Sequence, residues 1–228
     1  MAGNQSPPLV LLHPTRLIFP HPVLRSEDGF LAIGGDLTTE RLLLAYRWGI
    51  FPWFHDDQPI LWWWTSPRLM LKPESVHISH SVRNALNKNR FQVSFDKNFS
   101  EVMQRCGNAQ RPGQDGTWIL PQMIEAYSNL FDAGYAHSVE VYEEGVLVGG
   151  LYGIALGKIF FGESMFAETS NASKVGFIHL CRHLHEKGFE WIDCQQDTPH
   201  MRSMGGALIP ENDFLNILRR NQRYILSG

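Results

Sequence analysis

The stretch WIDCQQ, Trp191–Gln196, places a carboxylate, Asp193, two residues before an amide, Gln195. The run reads as a strand, where side chains alternate, so the two groups are expected on one face about 7 Å apart, with Ile192 and Cys194 turned to the core. Burying an acid and an amide is costly unless both find partners. The pair is therefore either a structural hydrogen-bond network or a reactive site. In the second case the carboxylate fixes the amide so that its oxygen accepts a hydrogen bond from a reacting amine. In FFGESMF, Phe160–Phe166, Glu163 follows a glycine that permits close approach of another chain or a ligand. Glu163 shares a face with Met165 and reads either as a surface charge at a strand end or as an anionic anchor for an ammonium group.

Other reactive types carry less. In HLCRHLH, His179 and His183 are four apart, as are Cys181 and His185, but neither HExxH nor CxxC occurs, and no metal is expected. RSMGGA, Arg202–Ala207, fits the acyl-coenzyme-A pyrophosphate pattern (Q/R)xxGx(G/A). It falls after the last clear strand rather than between a strand and the main helix, and is read as chance. Two basic groups, Arg83, Lys88 and Arg90, and Arg219, Arg220 and Arg223, are either solvated helix surface or phosphate contacts.

Aromatic residues form the other concentration. Five of the seven tryptophans lie between Trp48 and Trp64, and Trp62, Trp63 and Trp64 are consecutive. No single face of a strand or helix holds three neighbours. Packing between two domains is one use for so much ring surface, with Trp62 and Trp63 above all suited to it.

The elements that must position these residues fall into two stretches. Residues 1–72 are rich in Pro, Gly and Trp, with one clear helix over Thr38–Trp48, capped by Thr38 or Thr39 and stopped by Gly49, and a short strand over Pro59–Trp63. Residues 73–228 read as helices over Ser79–Asn87, Phe99–Cys106 and Pro121–Ala133 and a strand over Phe91–Phe95. A three-stranded antiparallel meander spans His137–Met165, Asn171 is expected to cap a helix that runs to about Lys187 and is closed by Gly188, a strand follows over Phe189–Gln196, and Asp213–Asn221 forms a last helix. The order of meander, helix and strand predicts an acetyltransferase-like (GNAT-type) mixed α/β sheet in the second stretch. That fold hands an acyl group to an amine, an analogy at fold level only.

Composition narrows the class. The 228 residues are 43% hydrophobic and 19% charged, with a net charge of −3. That is globular, and a nucleic-acid partner gains nothing from overall charge. Met1–Pro14 has no basic stretch ahead of an apolar run, no segment approaches membrane-spanning length, and three scattered cysteines read as reduced thiols. A cytosolic enzyme without a membrane partner is expected.

Several blocks together resemble the leucyl/phenylalanyl-tRNA–protein transferase family. They are LAIGGDL (Leu31–Leu37), AYRWGIFPWF (Ala45–Phe54), GTWI (Gly116–Ile119), AYSNLFDAGYAHSVEV (Ala126–Val141), LVGGLYG (Leu147–Gly153), FFGESMF, NASK (Asn171–Lys174), and IDCQ with TPHMRSMGG (Ile192–Gly206). They keep the family's order over nearly the whole chain. The resemblance implies a monomeric bacterial enzyme, with a small N-terminal α/β domain (1–72) and a larger acetyltransferase-like C-terminal one (73–228), that moves leucine or phenylalanine, and less so methionine, from aminoacyl-tRNA to proteins beginning with Arg or Lys, without metal or cofactor. The products enter N-degron proteolysis. By position it implies that Trp53 and Trp118 flank the donor's terminal adenosine, with Tyr46 and Tyr127 nearby. Glu163, Asp193 and Gln195 fall on the polar catalytic positions, and Leu151, Phe160 and Met165 on the aminoacyl side-chain pocket. Arg83, Lys88 and Arg90 would meet tRNA phosphates. Two departures stand out: the family's WWSPxPR is WWWTSPR here, Trp62–Arg68, and its pocket methionine is Leu151. The rival readings are an acyl-coenzyme-A-dependent N-acetyltransferase and a tRNA-binding module without catalysis.

Overall fold

The computed structural model describes residues 9–109 and 119–227. Trp118, expected at the donor's adenosine, lies outside the described residues. In chain order the elements are β1 Leu11–Leu12, β2 Phe30–Gly34, α1 Thr39–Arg47, β3 Phe51–Pro52, β4 Leu61–Trp63, β5 Arg68–Leu71, α2 His80–Asn87, β6 Gln92–Phe95, α3 Phe99–Asn108 and α4 Pro121–Asp132. They continue with β7 Ala136–Glu143, β8 Val146–Leu156, β9 Ile159–Ala167, α5 Ala172–Glu186, β10 Trp191–Asp193, α6 Pro199–Ser203, β11 Ala207–Ile209 and α7 Glu211–Ser227.

The described residues form two sheets. The first has the order β1-β2-β4-β3, the second β11-β5-β10-β9-β8-β7-β6. In the second, β7, β8 and β9 are the expected meander, and α5 carries the chain from β9 to β10, which pairs with it in parallel. This is the mixed α/β sheet that the element order predicts. β5 precedes residue 72 yet pairs antiparallel with both β10 and β11, so the first stretch lends a strand to the sheet of the second. Asn171 occupies the position before α5 in left-handed backbone, φ 70°, and makes no side-chain cap bond. The last helix is longer than the sequence suggests, starting at Glu211 and ending at Ser227.

Apolar burial holds these layers together. One core lies between the first sheet, α1, α3, α4, α7 and the face of the second sheet that carries Tyr152, Ile154 and Phe161. The opposite face, with Leu151, Phe160 and Ile192, packs against α2 and α5. Helix α1 shows how the small domain attaches. The Thr38 hydroxyl accepts from the Arg41 amide, and Leu42, Ala45 and Tyr46 are buried. Arg41, also buried, pairs with Asp36 and donates to the carbonyls of His13, Pro14 and Arg16, which ties down the preceding chain. Gly49 ends the helix turn at φ 69°, and a Cβ there would stand 2.8 Å from the Phe214 ring of α7.

The three consecutive tryptophans use both faces of the β4 segment. Trp62 and Trp64 are fully buried, while Trp63 is half-buried and edges against Trp53 and Phe30. Each indole N–H donates to a carbonyl, of Gly34, Trp53 and Trp48 respectively. Large apolar rings are buried with their one polar atom satisfied, which removes the cost of hiding it. Trp64 also meets Phe214 of α7 at 5.5 Å and so links the two sheets' layers.

Candidate active site

A cavity of about 930 Å³ opens where the first sheet meets the α5 side of the second. Phe51, Pro52 and Trp53 come from β3 and the residue after it. Glu163 and Met165 come from β9, Leu151 from β8, and Cys194 and Gln195 from the chain leaving β10. The expected apolar residues Leu151, Phe160 and Met165 all line it. Phe177 and Leu180 of α5, Ile192 of β10 and Met201 of α6 extend that apolar wall.

Glu163 owes its aim to a bulge. Across β8–β9, Tyr152 opposes Ser164 and Gly153 opposes Gly162, which leaves Glu163 as the extra residue. A bulge re-aims the side chain it carries and shifts the alternation beyond it. The shift has a second result. Phe160 and Met165 are five apart, yet both are paired on the face of Leu151, Gly153 and Ala155.

The Glu163 carboxylate is densely held. Tyr46 Oη donates to Oε1 at 2.8 Å, Tyr127 Oη to Oε2 at 3.3 Å, and Gln195 Nε2 to Oε1 at 2.9 Å. The two tyrosine hydroxyls also bond each other. Tyr46 and Tyr127 are buried, at 1% and 0% exposure, and reach the cavity only through Glu163. Burial, with Asp193 nearby acting in the same direction, pushes the Glu163 pKa up to about 7 against the opposing hydrogen bonds from the two hydroxyls and the amide. Both tyrosines are raised well above the ordinary value by burial and by Glu163's charge. Proton counting agrees with a raised acid. If Glu163 is protonated, its Oε2–H donates to Tyr127 Oη, the Tyr127 hydroxyl donates to Tyr46 and the Tyr46 hydroxyl to Oε1, which gives each of the three contacts one proton.

Asp193 and Gln195 are related otherwise than as neighbours on one strand face. β10 ends at Asp193, and Gln195 has φ 60°. Ile192 lies in the core that packs on α5 and Cys194 against it, as expected, and both also line the cavity, while Asp193 is fully buried and does not line it. There it forms a two-pronged pair with Arg68, Nε to Oδ1 and Nη2 to Oδ2, both 2.8 Å. Arg68 Nη2 also donates to the Gly49 carbonyl, and its guanidinium lies over the rings of Phe51 and Phe214. Asp193 holds Gln195 through its backbone: the Gln195 amide N–H donates to Oδ1 at 2.8 Å. The side-chain amide is oriented by Glu163 instead. Thr65, within the departing WWWTSPR stretch, accepts from Arg68 Nη1 and donates to the Gln195 carbonyl, each at 3.1 Å. The left-handed Gln195 backbone is thus gripped at its N–H and its C=O. Sequence reasoning missed Arg68, because nothing local links a residue on β5 to one 125 positions later.

Remaining candidates lie elsewhere. Arg83, Lys88 and Arg90 are exposed on α2 and the turn after it and do not line the cavity; Arg90 pairs with Glu143. The RSMGGA segment runs from the end of α6 into β11, and Arg202 pairs with Asp197. His200 lines the cavity, with its Nε2 buried and unpartnered among the described residues. Burial and neighbouring Lys174 hold its pKa below the ordinary histidine value. Among the described residues no group of three or more His, Cys, Asp or Glu is placed to hold a metal ion, and no helix is long and apolar enough to cross a membrane.

The family model described as leucyl/phenylalanyl-tRNA protein transferase matches residues 70–219, and the model of that family's N-terminal domain matches residues 35–67. A leucyl/phenylalanyl-tRNA–protein transferase of Syntrophobacter fumaroxidans is 52% identical over 212 residues, 93% of this chain and 91% of the relative. One from Azotobacter vinelandii is 51% identical over 212 residues, covering 92% and 93%. A solved aminoglycoside acetyltransferase from an uncultured soil metagenomic sample overlaps at a TM-score of 0.40 and 16% identity, over 52% of this chain and 85% of its own.

Proposed function

The chain belongs to the leucyl/phenylalanyl-tRNA–protein transferase family and is an aminoacyltransferase, and on that premise we propose the chemistry of its site. The donors are leucyl-, phenylalanyl- and, less so, methionyl-tRNA. The acceptor is the α-amino group of a protein beginning with Arg or Lys, which the added residue commits to N-degron proteolysis. The enzyme acts in the cytoplasm as a monomer built from units 1–72 and 73–228, the first contributing β5 to the sheet of the second.

The supporting observation is one cavity that joins Trp53 of the first unit to Glu163, Gln195 and an apolar end formed by Leu151, Phe160 and Met165. A base stacked on Trp53, with Trp118 as the second ring, gains about 1–3 kcal/mol per base without help from net charge. That suits an acidic chain. Anchoring the adenosine there places the aminoacyl side chain in the apolar end and the ester carbonyl beside Gln195. Arg83, Lys88 and Arg90 would contact phosphates further from the reacting atoms.

The ester is already activated, so the main task is to align an amine with its carbonyl and exclude water. The acceptor's α-amine, with a pKa of about 7.7–8.0, is partly neutral at neutral pH. The Gln195 amide N–H₂ is engaged by Glu163, which leaves its oxygen to accept a hydrogen bond from the attacking amine. Asp193 does not touch the substrates in this reading. It is a positioning residue that fixes the Gln195 backbone through one hydrogen bond and is itself fixed by Arg68. Tyr46 and Tyr127 position Glu163 in the same sense. The C–N bond forms and the ester C–O bond to the ribose breaks. The proton lost by the amine ends on the ribose hydroxyl that leaves, through the donor's neighbouring hydroxyl or water, since an amide is too weak a base to keep it.

The test is transfer of labelled leucine from charged tRNA to an Arg-starting peptide, with acetyl-coenzyme A as the control donor. Gln195→Ala and Asp193→Ala should slow single-turnover transfer with tRNA affinity retained. Near-wild-type rates in both would remove their roles, and acetyl transfer alone would install the coenzyme-A reading.

A further inference from the structure

Behind the apolar end of the active-site cavity lies a smaller one of about 90 Å³, and Phe160 and Leu180 line both. Leu180 is carried by α5 in the middle of its buried stripe. Phe160 is a ring on β9 with space on two sides. Ala155 opposes it directly across the β8–β9 ladder and lines the smaller cavity. The ring edge lies over Gly153, where a Cβ would stand 2.5 and 2.7 Å from Cε1 and Cζ. The sheet beneath the ring is therefore bare. The polar groups at the cavity's far side are already engaged. His137 pairs with Asp96 at 2.8 Å, Asp96 also accepts from the Ser138 amide, and His183 lies 4.8 Å from the Phe95 ring.

Interiors are otherwise close-packed, and a side chain backed by a cleft free of protein atoms has no protein contacts there to lose when it moves into it. A pocket with rigid walls fitted to an isobutyl group would be overpacked by a benzyl group, and one fitted to benzyl would leave isobutyl loosely held. We propose that Phe160 is a movable wall: its ring retreats toward Ala155 into the smaller cavity when the donor side chain is benzyl and stands forward when it is isobutyl. The inference rests on the proposed leucyl and phenylalanyl donors and adds how one pocket serves both.

Ala155→Leu fills the space behind the ring without touching the active-site cavity. In the folded variant kcat/KM for phenylalanyl-tRNA should fall about tenfold relative to leucyl-tRNA, the scale on which a pocket discriminates small changes in size. A donor ratio within about twofold of the wild type overturns the proposal. Crystal structures of the wild-type protein with stable phenylalanyl- and leucyl-adenosine analogues supply a test that needs no variant. The Phe160 ring should be displaced toward Ala155 only with the phenylalanyl analogue, and one ring position in both overturns the movable wall. If the wild type transfers neither amino acid, the transferase reading itself falls; if it transfers both and the ratio does not move, only the wall does.

Discussion

Replacing Arg68 by methionine tests how the site is held. Arg68 and Asp193 are 1% and 0% exposed, and the guanidinium supplies both carboxylate oxygens as well as the Gly49 carbonyl. Removing one member leaves Asp193 as a buried charge with only the Gln195 N–H to satisfy it, a loss of about 3–5 kcal/mol. That is a large share of the roughly 5–15 kcal/mol that keeps a typical domain folded. With a urea slope of about 3 kcal/mol/M, the midpoint should drop by about 1–2 M. Lysine should not restore it, because an ammonium cannot serve both oxygens in one plane. The double variant Arg68→Met with Asp193→Leu separates stability from function. Exchanging a buried ion pair for apolar side chains is often neutral, so the midpoint should recover. Transfer should not, because the Gln195 N–H then has no acceptor and its left-handed backbone is free to relax. A displacement of about 1 Å at a reacting group costs on the order of 100-fold in rate. An unchanged midpoint in the single variant, or wild-type single-turnover transfer in the double one, would refute the reasoning.

Glu163, with its pKa raised to about 7 by burial, binds a proton in the folded state that the unfolded chain gives up above about pH 4.3. Its contribution to stability therefore falls as pH rises between those values and is constant above them. Subtracting the urea-unfolding profile of Glu163→Gln from that of the wild type should expose this slope, amounting to at most about 4 kcal/mol; parallel profiles would show that Glu163 ionises normally. Trp53→Ala should weaken binding of an aminoacyl-adenosine analogue by about 1–3 kcal/mol, measured by calorimetry, and undiminished affinity would place the base elsewhere. Met165→Ala should widen the range of side chains transferred, read from competition between aminoacyl donors, and an unaltered preference would count against its place in the side-chain pocket.

The regular elements were legible because their signals are local. Thr38 and Gly49 bracket α1, Pro121 opens α4, and turn residues separate the strands of the meander. The short strands β1, β2, β3, β5 and β11 were not, since two to five residues leave no period to read and pairing alone makes them strands. The face assignment at β10 failed for a similar reason. Alternation was extended to Gln195, but the strand stops at Asp193, and Gln195 leaves that face in left-handed backbone to line the cavity.

What the sequence determined by itself was the cast: the order of elements, an acid and an amide near the end of one strand, a glutamate after Gly162, and rings concentrated near the front. The tertiary structure decided how they act together. It put Glu163 in a bulge, which brings Phe160 and Met165 to one face, and set Tyr46 and Tyr127 beneath it. It also brought Arg68 from 125 positions away to hold Asp193. Each of these depends on which strand lies beside which and in what register. Pairing across a sheet is a property of the assembled chain, and no stretch of residues read singly contains it.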